Sequence, residues 1–449
     1  MISGDTMSIE YMLQEFLTRA DLPLTNLKGL CADMPMEKFS TLEVNNLNGF
    51  YGNSEALKRY VGLPSYYAIK ADISHGYTHA PYEIWDMEIS NITPVTLVWG
   101  EHTKKSYQRY TDKNIIVIGA PFFYSTGILS SNEVKSEKKR LGRNLLIFPP
   151  HATHYVTNSY DCVRWINSLK STFKEFDSVR ICMYWKNYIN GEHKYYKDMG
   201  YECVTAGHMF DINFLRRLHS LFDICDATIA GNLGSNVGFS LFKKKPIMLA
   251  QPTKTVVTDT LNHVSDEEYK RYLSKDIFYQ NALDIFATLP ERVPQKQYDF
   301  CDPYWGFSAI KQPHELLTII RDAESLYSKM QCESDEEVGG FKLSDFSLPD
   351  PSNISTSAVR NMLVRHCHKL AVAALNAREM KKAAFLAKYG LELGIPYRGL
   401  AATYGSALTA LQQFDAAKAA FQRELTAFPD SQTAQKSLST IEKLEVLQN

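Results

Sequence analysis

The stretch Gly200 to Pro246, GYECVTAGHMFDINFLRRLHSLFDICDATIAGNLGSNVGFSLFKKKP, carries the pattern that decides the fold. It reads as strand (YECVTA), loop, helix (DINFLRRLHSLF), strand (ATIAG), Gly-rich turn, helix (SNVGFSLFKK), and the apolar strand PIMLA follows directly. Short apolar runs that alternate with helical segments predict βαβ units and a parallel sheet. Open parallel sheets bind ligands at the carboxyl ends of their strands. Helix N-termini there offer unpaired N–H groups and a positive dipole end, which suit phosphate. Two strand-to-helix junctions in the stretch are therefore candidate nucleotide contacts: Gly207-His208 with Asp211, and Gly231-Asn232-Leu233-Gly234-Ser235-Asn236.

Working outward, a βα series begins at LLIFPPH (145–151). It continues through the helix DCVRWINSLKSTFKEF and the strand SVRICMYW, and it closes with the helical runs DEEYKRYLSKDIFYQNALDIF and PHELLTIIRDAESLYSKM. Upstream, residues 1–129 read as a second α/β unit, with strands in YYAIKADIS, TPVTLVWG and NIIVIGAP and a helix in EHTKKSYQRY. Between them, SSNEVKSEKKRLGRN (130–144) is charged, lacks apolar periodicity and reads as a linker. A second linker is expected over 332–355, which is acidic with Gly, Pro and Ser. From 356 to 449 the composition turns to Ala-rich helices. AATYGSALTALQQFDAAKAAFQRELTAFPD resembles a tetratricopeptide repeat through Gly405, Ala417, Phe421 and Pro429, with a weaker repeat about 33 residues earlier through Ala384 and Pro396. The expected fold is thus α/β and GT-B-like. Residues 1–129 and 145–331 form two Rossmann-like domains with a cleft between them, followed by an all-α repeat tail.

Composition bounds the function. The 449 residues carry a formal net charge of −1, with 45% hydrophobic and 22% charged residues. This is an ordinary globular composition with no global pull toward nucleic acid. The eight cysteines form no CxxC pair, and several lie in strand-like runs, which suits buried thiols in a reducing compartment. With neither a basic-plus-apolar leader nor an 18-residue apolar run, the expectation is a cytoplasmic protein. HATH (151–154) and the HCH run (366–368) do not have zinc-ligand spacing, so no metal is expected. The GxxxxGK[ST] order of P-loops is missing, and no GxGxxG follows a first strand, which argues against P-loop and dehydrogenase chemistry.

The candidate residues follow from strand ends. His75-Gly76 closes YYAIKADIS, and His75 is a candidate base or orienter of an acceptor hydroxyl. His79, Glu83, Asp86 and Glu88 follow closely, and the sequence does not choose among them. Glu101 opens a helix after Trp99-Gly100. His151 and His154 follow the first strand of the second unit. Asp211 is either a helix cap or a catalytic carboxylate, and Arg216 and Arg217 lie one turn further on. Gly234, Ser235 and Asn236 should form a helix N-terminus suited to a phosphate, with Asn232 or Asn236 on sugar hydroxyls.

Together HGYTHAP, WGEHTKKSYQRY with IIVIGAPFFY, LLIFPPHATH, TAGHMFD and GNLGSNVGFSLFKKKPIML resemble bacterial surface-polysaccharide glycosyltransferases of the GT-B type. The similarity is nearest to transferases of capsule and lipopolysaccharide biosynthesis that use CMP-activated acidic sugars such as Kdo or sialic acid. It spans about residues 60–250. The resemblance implies metal-independent transfer from a CMP-sugar to a glycan acceptor, with no cofactor beyond the donor. Carried onto this chain, it places His151, His208, Asn232, Gly234, Ser235 and Asn236 on the nucleotide sugar, and Asp211 and His75 in catalysis. It also implies work at the inner face of the membrane; the tail, with a pair of repeats near the minimum for a stacked array, is expected to lean on the catalytic core, a second copy or a protein partner. Two other readings fit some of the same residues: a teichoic-acid-type polyol phosphotransferase, and a non-catalytic repeat scaffold with a sugar-binding α/β module.

Overall fold

The computed structural model describes residues 19–34, 43–65, 67–77, 88, 92–152, 156–253, 255–259, 274, 276–333, 341, 343–351, 354, 357–411 and 413–448. The chain is mixed α/β with parallel sheets and a C-terminal helical region. It divides into two compact units. Met1–Ile84, Val95–Gln108 and Asn114–Arg321 form the first; Trp85–Pro94, Arg109–Lys113 and Asp322–Asn449 form the second.

Among its described residues the first unit contains three sheets. β1 (Asp72–Ile73), β2 (Val95–Val98) and β3 (Asn114–Val117) pair in parallel in that order. The main sheet joins β4 (Asn144–Phe148), β6 (Ser178–Cys182), β7 (Glu202–Val204), β8 (Ala227–Ala230) and β9 (Ile247–Leu249). All its pairings are parallel, in the order β7-β6-β4-β8-β9. Counted along the chain this is 3-2-1-4-5, the order of doubly wound sheets. β5 (Val156–Tyr160) and β10 (Thr255–Asp259) form an antiparallel pair that periodicity does not reveal. The central strands are buried on both faces, as helix-covered parallel strands must be, and so lack alternation.

The expected strands in 95–98, 114–117, 144–148, 178–182, 202–204, 227–230 and 247–249 are all present. The helices expected after them form as α4 (Cys162–Ser168), α5 (Phe214–Ile224) and α6 (Ser235–Phe242). α2 (Glu101–Tyr107) likewise starts at Glu101. Of the helical run expected over 266–286, only Ile277–Ile285 is described as helix, and residues 260–273 and 275 lie outside the described residues. The helix α1 (Asn53–Val61) was not expected.

Segment 130–144 departs from the linker reading. Residues Ser131–Leu141 form α3, opened by a capping box in which Ser130 and Glu133 exchange hydrogen bonds. Only Leu141 is buried, so there is little apolar stripe to detect; the signal was the S-x-x-E spacing and the Lys/Arg-rich last turn. The α/β parts on either side of α3 also belong to one unit. A single apolar cluster runs through Ala56, Trp99, Phe122, Leu218, Phe239 and Trp305. Phe122 lies between His219 and Phe239, with ring centroids 4.2 Å from each. Along this edge the two parts share an aromatic core.

Helix α7 (Gln295–Trp305) ends by placing Trp305 against α6, and a Cβ on Gly238 would lie 2.2 Å from its indole ring. Only glycine lets the α6 backbone come this close to the indole ring.

In the second unit, helices α9 (Ser357–Asn376), α10 (Met380–Glu392), α11 (Leu400–Ala410), α12 (Phe414–Ala427) and α13 (Gln432–Gln448) each pack on the next. The long α8 (Pro313–Glu333) precedes them in the chain. Phe421 packs onto Gly405, a small-against-aromatic contact between α11 and α12. Helices begin at Met380 and at Phe414, so the internal spacing is 34 positions (380 to 414), not 33. Ala383, rather than Ala384, is the fully buried counterpart of Ala417. Much of the expected linker 332–355 lies outside the described residues; Leu343–Phe346 within it forms a 3-10 turn. No helix among the described residues is long and apolar enough to cross a membrane.

Candidate functional site

The strand order of the main sheet reverses between β4 and β8, and the crevice beyond their carboxyl ends is where such sheets bind ligands. The two ends are held together directly. Gly231 N–H donates to the Phe148 carbonyl at 2.7 Å, and a Cβ on Gly231 would lie 2.3 Å from Pro150 Cδ. Glycine is therefore the residue that fits there. The loop Pro150–Ala152 after β4 is clamped by Asn187. Its amide oxygen accepts from Ala152 N–H at 3.1 Å, and its amide nitrogen donates to the Pro150 carbonyl at 3.0 Å and to Glu192 Oε2 at 2.7 Å. Burial raises the Glu192 carboxyl to about 7.

The clamp fixes His151 beside Tyr184, with ring centroids 4.9 Å apart. Tyr184 shares a 3.0 Å hydroxyl–hydroxyl hydrogen bond with Tyr51. Tyr51 has φ 59°, a left-handed conformation uncommon for a side-chain-bearing residue. Burial lowers the His151 imidazole to about 4, so at neutral pH it is uncharged, able to accept a hydrogen bond but a weaker base than an ordinary imidazole.

Across the crevice, α6 starts at Ser235 with Gly234 as its cap residue and no side chain capping it. Among the described residues no side chain accepts from the first N–H groups of the helix. Asn232, Ser235 and Asn236 are half-buried, and no hydrogen bond to another described residue engages their side chains. The end of β1 comes to the same place. A Cβ on Gly76 would sit 4.0 Å from the Ser235 hydroxyl, and Tyr77 donates its hydroxyl to the Leu233 carbonyl at 2.9 Å. Tyr77 stacks on Trp305 at 4.3 Å, and Trp305 Nε1 donates to the Ser235 carbonyl at 3.1 Å. The structure thus brings His75-Gly76, Gly234, Ser235 and Asn236 to one face, with the His151 loop on the adjoining strand end.

Asp211 and His208 belong elsewhere. β7 is an edge strand of the sheet, and its carboxyl end is plugged by the chain's own residues 19–31. Thr205 N–H donates to the Leu24 carbonyl at 3.0 Å, His208 N–H to Leu30 at 2.9 Å, and Arg217 Nη2 to the Arg19 carbonyl at 2.8 Å. Asp211 is fully buried. One oxygen pairs with Arg217 Nη1 at 2.7 Å, and the other accepts from Asn213 N–H at 2.9 Å. A carboxylate sealed in this way has no path to a sugar; Asp211 braces Arg217 and the Asn213 N–H, while Asn213, not Asp211, is the cap residue of α5. His208 is also fully buried, its Nδ1 accepting from Phe210 N–H at 3.1 Å and its ring 4.1 Å from Trp185. It is core, not a donor contact. His79, Glu83, Asp86 and His154 lie outside the described residues. Glu88 is fully buried, and Glu101 is exposed at the start of α2.

Tyr51, Tyr184, Asn187 and Trp305 were not legible as site residues. Their only sequence signals are a Gly-flanked Tyr51 (GFYGN), a strand-end Tyr184 and Trp305 before a glycine. Cys31, Cys162, Cys182, Cys203, Cys225, Cys301 and Cys367 are free and buried, and burial raises Cys31 and Cys367 to about 12 and Cys225 to about 11. Among the described residues, no group of three or more His, Cys, Asp and Glu side chains is placed to hold a metal ion. Compared with known protein families, with curated proteins and with solved structures, the chain finds no match.

Proposed function

We propose that the first unit is a nucleotide-sugar-dependent glycosyltransferase of the GT-B type, with a CMP-activated acidic sugar as donor and a bacterial surface glycan as acceptor. The observation that carries the reading is the reversal of strand order between β4 and β8, with the uncapped N-terminus of α6 on one side and the β1 end facing it. In this reading the α6 N–H groups, the Ser235 hydroxyl and the Asn236 amide hold the donor phosphate. Asn232 meets sugar or ribose hydroxyls. His75 is the group that takes the acceptor's proton as the new glycosidic bond forms, and His151, uncharged because it is desolvated, accepts a hydrogen bond from a substrate hydroxyl. Asp211 has no part in the step.

The test is calorimetric titration of the full chain with CMP, UDP, GDP and CDP-glycerol, followed by donor hydrolysis assays with CMP-sialic acid and CMP-Kdo. CMP should bind, and Ser235→Ala combined with Asn236→Ala should weaken it about tenfold or more, the scale of lost charge-assisted hydrogen bonds. His75→Ala or His151→Ala should lower turnover while keeping CMP affinity. If none of the four nucleotides binds, the reading falls. Preference for CDP-glycerol would move it to a polyol phosphotransferase.

A further inference from the structure

A second cavity in the first unit, of about 290 Å³, lies between α1, the Pro121–Tyr124 turn and α5. It is lined by Glu55, Arg59, Tyr60, Tyr124 and Arg216 among others. The volume is near the lower end of the range for small-molecule sites. Its polar groups are unevenly satisfied. Glu55 Oε1 accepts from Arg59 Nε at 2.7 Å and from Ser65 Oγ at 2.7 Å, and its other oxygen lies 3.7 Å from Lys58. The Tyr60 hydroxyl donates to the Lys311 carbonyl at 3.1 Å, and the Tyr124 hydroxyl donates to the Ile118 carbonyl and accepts from Lys311 N–H. Arg216 makes one long contact, Nη1 to Asn213 Oδ1 at 3.3 Å, while its Nε is buried without a hydrogen-bond partner.

Buried donors are ordinarily paired, so an orphaned guanidinium N–H on a cavity wall points to a missing acceptor. The charges agree. Burial first, then the like charges of Arg59 and Arg217, push the Arg216 guanidinium below its ordinary value, which an anion in the cavity would reverse. Arg59 and Arg216 supply two positive charges against the single carboxylate of Glu55, leaving one to be neutralised. The rings of Tyr60 and Tyr124 meet edge-to-face at 4.9 Å and form an aromatic wall for an apolar body.

We infer that this cavity binds a small monoanionic carboxylate with a flat or apolar body, its carboxylate on Arg216 and Arg59 and its body against Tyr60 and Tyr124. The site is separate from the nucleotide reading, and its probe contains no nucleotide. The experiment is calorimetric titration of the full chain with benzoate, benzyl phosphate and benzyl alcohol. Benzoate should bind saturably and more tightly than the other two. Arg216→Gln should weaken it at least about tenfold, the scale of a charge-assisted hydrogen bond, and Arg216→Lys should restore only part because a lysine cannot present the fork. Arg59→Gln, at a half-exposed side chain, should weaken it too and covers the case in which Arg216→Gln does not fold. Binding of benzyl alcohol as tight as benzoate, tighter binding of benzyl phosphate, unchanged binding in both glutamine variants, or no binding of benzoate would each overturn the inference.

Discussion

Replacing Asp211 by alanine separates a structural carboxylate from a catalytic one. In the fold, Asp211 Oδ2 lies 2.7 Å from Arg217 Nη1 with both side chains fully buried. Arg217 then keeps only the carbonyls of Ala206, at 3.3 Å, and Arg19, at 2.8 Å. Stripping one partner from a buried pair leaves an uncompensated charge and costs about 3–5 kcal/mol. In a unit this large each kcal/mol moves the melting midpoint by roughly 2 °C, so a fall of roughly 6–10 °C is expected. Asp211→Asn keeps the acceptor for Asn213 N–H and should cost less, about 1–3 kcal/mol. Adding Arg217→Met to Asp211→Ala removes the stranded charge and should recover a large part of the loss, a coupling that a double-mutant cycle reads. Tryptophan fluorescence is a suitable probe, because Trp99, Trp165, Trp185 and Trp305 all belong to the first unit. An unchanged melting midpoint in Asp211→Ala, together with lost turnover, would refute the argument and return the residue to the chemistry.

Gly238→Ala drives a methyl group into the Trp305 ring; overpacking should cost about 1–3 kcal/mol, more than the helix-propensity gain of up to about 1 kcal/mol, and a thermal melt no lower than that of the parent chain would contradict it. His219 is held at about 4 by burial and by Lys243, below an ordinary value of 6.5, so its contribution to stability is present above pH 6.5 and lost as pH falls from about 6.5 through about 4. Glu192, raised from 4.5 to about 7, works in the opposite sense and loses its contribution as pH rises through that window. Urea unfolding between pH 4 and 7 should therefore show acid sensitivity reduced in His219→Gln and increased in Glu192→Gln; parallel pH profiles for the three chains would show that neither group is desolvated. In the second unit, Glu424 is almost fully buried and accepts from Gly399 N–H at 2.7 Å, capping the start of α11 from α12. Glu424→Ala should cost about 1–3 kcal/mol, read as an earlier loss of helical circular dichroism, and an unaltered helical transition would show that the cap is dispensable.

The expected positions of Gly234, Ser235 and Asn236 at a helix start, and of His75 and His151 at strand ends, agree with the structure because those features are local. Apolar runs, glycine placement and polar residues at strand ends are written within about ten residues of each other. The misplacement of Asp211 and His208 has an equally plain cause. They also sit at a strand end, and nothing near them in the chain tells that β7 is an edge strand whose end residues 19–31 cover. Helix α3 was legible through Ser130 and Glu133 but not through apolar periodicity, because an exposed charged helix has little of it.

What the sequence determined by itself is the run of parallel strands with the helices α2, α4, α5 and α6 between them, the start of α6 and the small-against-aromatic contacts of the tail. Each depends on backbone preference and on side-chain period within one or two elements. Only the tertiary structure decided which strand ends lie together. Pairing of Leu145 with both Val179 and Ala227 sets the switch point, and Trp305 ties the β1 end to α6 from far along the chain. Those contacts depend on which apolar surfaces exclude water together once the chain has collapsed, a property of the assembled core that no short window of residues contains.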